Sequence, residues 1–61
     1  MIALYSRVRI KKNGFLGHIV EYDDNGGKDP PVYLIELDSQ FYDNDADAVD
    51  WYEDYEFEIV Q

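Results

Sequence analysis

The chain has 61 residues, a formal net charge of −9 and no cysteine. A chain of this length forms one small domain, here residues 1–61, and without cysteine it has neither disulfides nor a thiolate metal site. Fourteen acidic residues against five basic ones repel phosphate backbones, so we predict no direct binding of nucleic acid. No apolar run is long enough to cross a bilayer and no signal-peptide pattern opens the chain, so we expect a cytoplasmic protein that does not bind membranes.

Alternation of polar and apolar residues predicts an all-β fold of five short strands. The clearest strand is Ser6–Ile10, in which Val8 and Ile10 are expected to point inward. Lys11–Gly14 ends in Asn-Gly, the strongest short hairpin signal, and predicts a tight turn into the second strand. The predicted strands cover residues 6–10, 17–22, 32–37, 48–53 and 56–60.

Two longer loops separate these strands. Asp23–Pro31 contains two glycines and two prolines, which interrupt a strand ladder, and Ser39–Asp47 is acidic. The alternating carboxylates of Asp43–Asp47 match the start of a calcium-binding loop. However, Ala48 occupies the sixth position, where glycine is required, and Asp54 occupies the twelfth, where glutamate is usual. We therefore predict a solvated acidic loop and no bound metal.

Three pieces of the sequence carry a family resemblance. They are the opening hairpin formed by Arg7–Ile10 and Gly17–Val20, the strand Tyr33–Leu37, and the turn and last strand in Tyr52–Glu58. Together they resemble the SH3-like small β-barrels, particularly the bacterial and KOW-type branch. The resemblance implies a five-stranded, partly open barrel, an architecture that hosts many unrelated functions. RNA-binding members carry basic surfaces, whereas this chain is acidic, so RNA binding is not carried over.

The charges are divided along the chain, since residues 1–20 contain no acid and residues 29–61 contain no base. The resemblance implies that the first and last strands pair antiparallel. Arg7 and Arg9 are then expected to face outward toward the last strand, with Glu56 and Glu58 as partners. Each such cross-strand pair stabilises the fold by about 0.2–1 kcal/mol. The residues expected to point inward from these two strands are Val8, Ile10, Phe57 and Ile59.

No catalytic chemistry is predicted. His18 is the only histidine, and beside Gly17 at the start of a strand we expect it to be structural. One histidine without a nucleophile elbow or an oxyanion loop does not make a triad. A barrel of this size also has little interior for a substrate. We predict that the protein is not an enzyme and uses no cofactor.

The aromatic residues supply the candidate site. Trp51 and Tyr52 cannot both face one core, because successive side chains of a strand point to opposite faces. Exposed Tyr and Trp beside acidic groups are typical of protein-binding patches, while the alternative is that these rings close the barrel as core or lid. The candidate protein-binding face consists of Tyr22, Tyr33, Trp51, Tyr52, Glu53, Asp54 and Tyr55.

Two classes of function follow from these features. The first is a non-catalytic interaction module whose aromatic and acidic face binds a basic protein segment or a second copy of itself. The alternative is an acidic inhibitor that mimics nucleic acid and blocks a DNA- or RNA-handling protein, as small phage or mobile-element proteins do. A mimic should lose affinity steeply with salt, and an aromatic-centred module should not. A small-ligand or cation-binding domain ranks third.

Overall fold

The computed structural model describes residues 2–27, 30–41 and 48–60. Its helical segments in these ranges are single 3₁₀ turns at Asn25–Gly27, Ser39–Phe41 and Asp54–Glu56. The strands are β1 (Arg7–Ile10), β2 (Leu16–Asp23), β3 (Val32–Leu37), β4 (Val49–Glu53) and β5 (Phe57–Ile59). The predicted all-β fold with five strands is therefore confirmed.

The strands form one antiparallel sheet in the order β4-β3-β2-β1-β5. β4 and β5 are the two edges of the described sheet, which is therefore partly open, as predicted. The antiparallel pairing of the first and last strands is confirmed by the register, in which Arg9 lies opposite Glu58 and Ile10 opposite Phe57. This strand order is compatible with a small β-barrel.

The first hairpin forms as its alternation predicts. Val8 and Ile10 are fully buried. The Gly14 N–H donates to the Ile10 carbonyl at 2.8 Å, and the Ile10 N–H donates to the Phe15 carbonyl at 2.8 Å. Gly14 has a φ of +76°, a left-handed conformation that glycine adopts without steric strain. The Asn-Gly signal thus marks the place where the chain reverses.

The core lies on one face of the sheet and includes residues of every strand. Tyr33 packs edge-on against Phe57, with ring centroids 5.5 Å apart. Ile59 was predicted to be buried, and this is wrong: it lies opposite Val8 but is 43% exposed, since β5 is an edge strand with a neighbour on one side only. The buried cluster consists of Val8, Ile10, Ile19, Tyr33, Ile35, Tyr52 and Phe57.

Gly17 marks a close approach between β2 and its neighbours. It lies opposite Val8 of β1 and opposite Leu37 of β3. A Cβ atom at this position would lie 2.5 Å from the Glu36 carbonyl oxygen, well inside van der Waals contact. Glycine in this strand is therefore explained by packing rather than by turn geometry.

Two exposed ion pairs involve the arginines of β1. The Arg9 guanidinium pairs with Glu58 at 3.0 Å, as predicted. Arg7 binds Asp38, just beyond β3, through two hydrogen bonds of 2.8 and 3.0 Å. The hydrogen bond from Arg7 holds the pKa of Asp38 below its usual value. Exposed pairs of this kind contribute little to the free energy of folding.

The predicted proximity of Arg7 to Glu56 is wrong. The Lys11 N–H donates to the Glu56 carbonyl at 2.9 Å, which places Glu56 at the far end of β1 from Arg7. The Glu56 carboxylate instead accepts a hydrogen bond of 2.7 Å from the Glu53 N–H. Glu56 thus closes the turn between β4 and β5 rather than pairing across the sheet.

Candidate functional site

The predicted aromatic face divides between the core and the surface. Tyr33 and Tyr52 lie opposite each other on β3 and β4 and are both buried. They belong to the core, and their assignment to a binding face is corrected accordingly. Trp51, Tyr22 and Tyr55 are 43%, 37% and 65% exposed. The alternation along β4 that turns Tyr52 inward is what turns Trp51 outward.

The exposed aromatic members of the predicted face line two different grooves. Trp51 and Tyr22 line one groove, and Tyr55 lines another. Glu53 ends β4, and Asp54 begins the 3₁₀ turn that follows. Neither of these two acids lines either groove. The three exposed aromatic residues of the predicted face therefore lie in two grooves with different surroundings.

The larger site is an open groove of about 600 Å³, which we name the aromatic–acidic groove. One wall comes from the N-terminal segment, one from the end of β2 and one from Trp51 of β4. The contribution of the N-terminal segment to this groove was not predicted from the sequence. The lining residues are Ile2, Ala3, Leu4, Glu21, Tyr22, Asp23 and Trp51.

Backbone hydrogen bonds hold the N-terminal wall in place. The Tyr5 N–H donates to the Ile19 carbonyl at 2.7 Å, and the Ile19 N–H donates to the Ser6 carbonyl at 3.1 Å. The Ser6 hydroxyl and N–H both donate to the Ala3 carbonyl, at 2.7 and 3.3 Å, which closes a turn. Tyr5 within this turn has a φ of +67°. The turn carries Leu4 to the groove.

A β-bulge shapes the second wall. The register of β2 against β3 shifts between Ile19 and Glu21, so that Glu21 lies opposite Leu34. Leu34 also lies opposite Trp51 on its other side. Trp51, Leu34 and Glu21 therefore form one row across three strands on the outer face of the sheet. Two strand spacings separate the backbones of Trp51 and Glu21 by about 10 Å.

The aromatic–acidic groove is negatively charged. Glu21 and Asp23 are among its lining residues, which include no basic side chain. Partial desolvation raises the pKa of Tyr22, and the charges of Asp24 and Asp23 raise it further. The Tyr22 ring packs against buried Tyr33 with centroids 5.2 Å apart, which fixes its position at the groove. The groove thus presents aromatic surface within an anionic field.

The smaller groove has a different character. It has a volume of about 310 Å³ and is lined by Ile10, Lys11, Lys12, Tyr55 and Glu56. The Lys12 ammonium lies 5.9 Å from the centroid of the Tyr52 ring, within the range of a cation–π contact. Basic and acidic groups meet here, so this surface does not continue the anionic field around Trp51.

The other residues considered for a site in the sequence are His18 and the predicted acidic loop Asp43–Asp47. His18 lies on the outer face, with its Nε2 3.4 Å from Glu36 Oε1. Within residues 2–27, 30–41 and 48–60, no three acidic or histidine side chains are placed to hold a metal ion. Asp43–Asp47, and with it the calcium-loop alternative, lies outside the described residues. In the described part of the chain, no helix is long and apolar enough to cross a membrane.

Comparisons with known proteins assign no function to these sites. No protein-family model matches the chain, and no curated protein or solved structure matches it significantly. The residues, charge and exposure of the two grooves are therefore the basis for a functional proposal.

Proposed function

We propose that the protein is a non-catalytic interaction module that binds a basic segment of another protein in the aromatic–acidic groove. One observation carries this proposal: the exposed Trp51 indole shares an open groove with Leu4 and Tyr22, and the carboxylates of Glu21 and Asp23 line the same groove. Trp and Tyr are enriched among the residues that dominate binding energy at protein interfaces. The apolar surface supplies affinity, and the carboxylates select a cationic partner.

The charge of the whole chain favours a foreign basic partner over a second copy. At a net charge of −9, two copies repel each other, whereas a cationic segment is attracted from solution. Complementary charge of this kind raises the association rate and rejects partners of the wrong sign. The partner is therefore a lysine- or arginine-containing segment with an apolar side chain for the groove.

The SH3-like barrel remains our proposal for the fold family. The strand order β4-β3-β2-β1-β5 and the short turn Asp54–Glu56 before the last strand support it. Small barrels of this kind host unrelated functions, so the fold itself carries no argument about the partner.

The test compares Trp51→Ala with Tyr55→Ala, which truncates an exposed aromatic residue in the other groove. Binding of lysine- and arginine-rich peptides that carry one leucine is measured by calorimetry, and circular dichroism checks the fold. We expect Trp51→Ala to weaken binding by about 2 kcal/mol, roughly 30-fold, and Tyr55→Ala to bind like wild type. Unchanged binding by Trp51→Ala, or a loss confined to Tyr55→Ala, would show that the groove is misassigned.

Salt dependence distinguishes this function from nucleic-acid mimicry. A mimic that replaces DNA on a basic protein should lose about 10³–10⁵ in affinity between roughly 50 and 200 mM salt. Binding centred on Trp51 should fall by about ten-fold or less over the same range, since apolar contacts are insensitive to screening. A steep loss, together with competition by duplex DNA, would favour the mimic.

A further inference from the structure

The two kinds of cation that a protein partner can offer, arginine and lysine, differ in how they would meet the side chains of the aromatic–acidic groove. The Trp51 indole is exposed, and Glu21 lies in the same row across the sheet. An arginine guanidinium is planar and weakly hydrated, stacks on aromatic faces, and donates paired hydrogen bonds to a carboxylate. A lysine ammonium is a compact and strongly hydrated charge that does neither as well. An exposed indole and a carboxylate that line the same groove therefore favour arginine.

Two of the backbone N–H groups at the open edge of β4 are already hydrogen-bonded within the chain. The Leu37 N–H donates to the Ala48 carbonyl, so residues 48, 50 and 52 direct their backbone groups toward β3, and residues 49, 51 and 53 direct theirs toward the open edge. The Trp51 N–H already donates to Asp50 Oδ1 at 2.8 Å. The Glu53 N–H is likewise bonded, to the Glu56 carboxylate. A partner strand added to β4 would have to displace both bonds.

We infer that the groove recognises an arginine side chain of the partner, and not an added strand. The guanidinium stacks on the Trp51 indole and donates to the Glu21 carboxylate, while the aliphatic stem packs on Leu4. Asp23 adds negative charge to the same groove. This inference rests on the proposed function, because it specifies which basic residue the interaction module reads.

The test uses one capped Gly/Ser peptide carrying a leucine and a single central residue, which is arginine, lysine or the neutral isostere citrulline. Trp51 is the only tryptophan in the chain, so its fluorescence reports directly on the groove. Backbone amide shifts identify the contacted residues. We expect the arginine peptide to bind about ten-fold more tightly than the lysine peptide, and the citrulline peptide to bind most weakly.

Two variants separate stacking from charge. Trp51→Leu keeps apolar bulk but removes the indole, and it should reduce the affinity of the arginine peptide to that of the lysine peptide. Glu21→Gln should reduce the preference for arginine over lysine. Tyr55→Leu, in the smaller groove, is the matched control and should leave this preference unchanged.

The possible outcomes have distinct meanings. Equal affinity for arginine and lysine peptides, with Trp51 still responding, would overturn the inference and leave the proposed function standing. A third variant, Asp50→Ala, frees the Trp51 N–H at the edge of β4. If it binds the peptide more tightly than wild type, with the largest shifts in the β4 amides, the partner binds as an added strand and the arginine inference is wrong. If no basic peptide perturbs Trp51 or the amides of residues 21–23, the proposed function fails as well.

Discussion

At the scale of single residues, Tyr5 is the position where the backbone is strained. Among the described residues it is the one non-glycine with positive φ, at +67°, and its side chain is 71% exposed. A left-handed conformation costs an L-residue with a Cβ about 1–2 kcal/mol. The hydrogen bonds from the Tyr5 N–H to Ile19 and from the Ser6 hydroxyl to Ala3 hold the turn despite this cost. The strained turn at Tyr5 is therefore the same turn that places Leu4 at the groove.

Replacing Tyr5 with glycine should stabilise the protein. Glycine removes the steric cost but adds conformational entropy to the unfolded chain, so we expect a net gain of about 0.5–1 kcal/mol. For a domain of this size, that gain corresponds to a rise of roughly 2–8 °C in the midpoint of thermal unfolding. Tyr5→Ala, which keeps the Cβ, is the matched control and should gain little. An equal gain from alanine and glycine would show that the side chain, and not the backbone, sets the effect.

At the scale of secondary structure, β4 combines an edge position with two carboxylates that accept hydrogen bonds from its outward Trp51 and Glu53 N–H groups. Edge strands present unpaired backbone groups that invite pairing with other chains, and natural sheets protect them. Asp50 and Glu56 perform this role by accepting from Trp51 and Glu53. These two hydrogen bonds occupy the N–H groups of Trp51 and Glu53, while the Trp51 indole remains exposed.

Removing the Asp50 carboxylate, one of the two that protect the edge of β4, should therefore promote self-association. Asp50→Ala frees the Trp51 N–H and should strengthen dimer formation by about five-fold, equivalent to ~1 kcal/mol for one available hydrogen bond. Asp54→Ala removes the same charge from an exposed position in the adjacent turn and is the control. Sedimentation velocity over a range of concentrations measures the difference. Equal association by the two variants would mean that lower net charge, and not the freed edge, is responsible.

Much of this element-level organisation could be predicted from the sequence, because local rules govern it. Alternation predicted a strand over Ser6–Ile10 with the correct inward residues, which the structure has at Arg7–Ile10, and Asn-Gly located its turn. The exposure of Ile59 depends on which strands lie at the edges of the sheet. The pairing of Arg7 with Asp38 depends on where β3 ends. Both are properties of the assembled sheet and cannot be predicted from the alternation of polar and apolar residues in a single strand.

The candidate site was predicted less completely for the same reason. The alternation in Trp51-Tyr52 established that one ring must face outward, and the structure resolves which one. The apolar Leu4 gave no indication of its place beside Trp51, because a bulge in β2 and the turn at Tyr5 bring them together. Long-range register of this kind has no short sequence signature.

At the scale of the whole molecule, negative charge is concentrated in a small volume. The formal net charge is −9 and the Cα radius of gyration is 11.2 Å. At about 0.01 M salt the screening length is roughly 30 Å, so every acidic group repels every other across the fold. The opposing attraction comes from the exposed pairs of Arg7 with Asp38 and Arg9 with Glu58, and exposed pairs contribute at most about 1 kcal/mol each. Repulsion therefore outweighs attraction when salt is low.

Added salt should accordingly stabilise the fold. Raising sodium chloride from about 0.01 to 0.5 M shortens the screening length to a few ångströms, and relief of about 1 kcal/mol of repulsion would raise the thermal midpoint by roughly 4–8 °C. Asp54→Lys makes the net charge less negative by two at an exposed position, so its midpoint should respond less steeply to salt. Calorimetry on both proteins measures the two slopes. A midpoint that falls with salt would mean that the arginine pairs, and not the net charge, dominate the electrostatic free energy of folding.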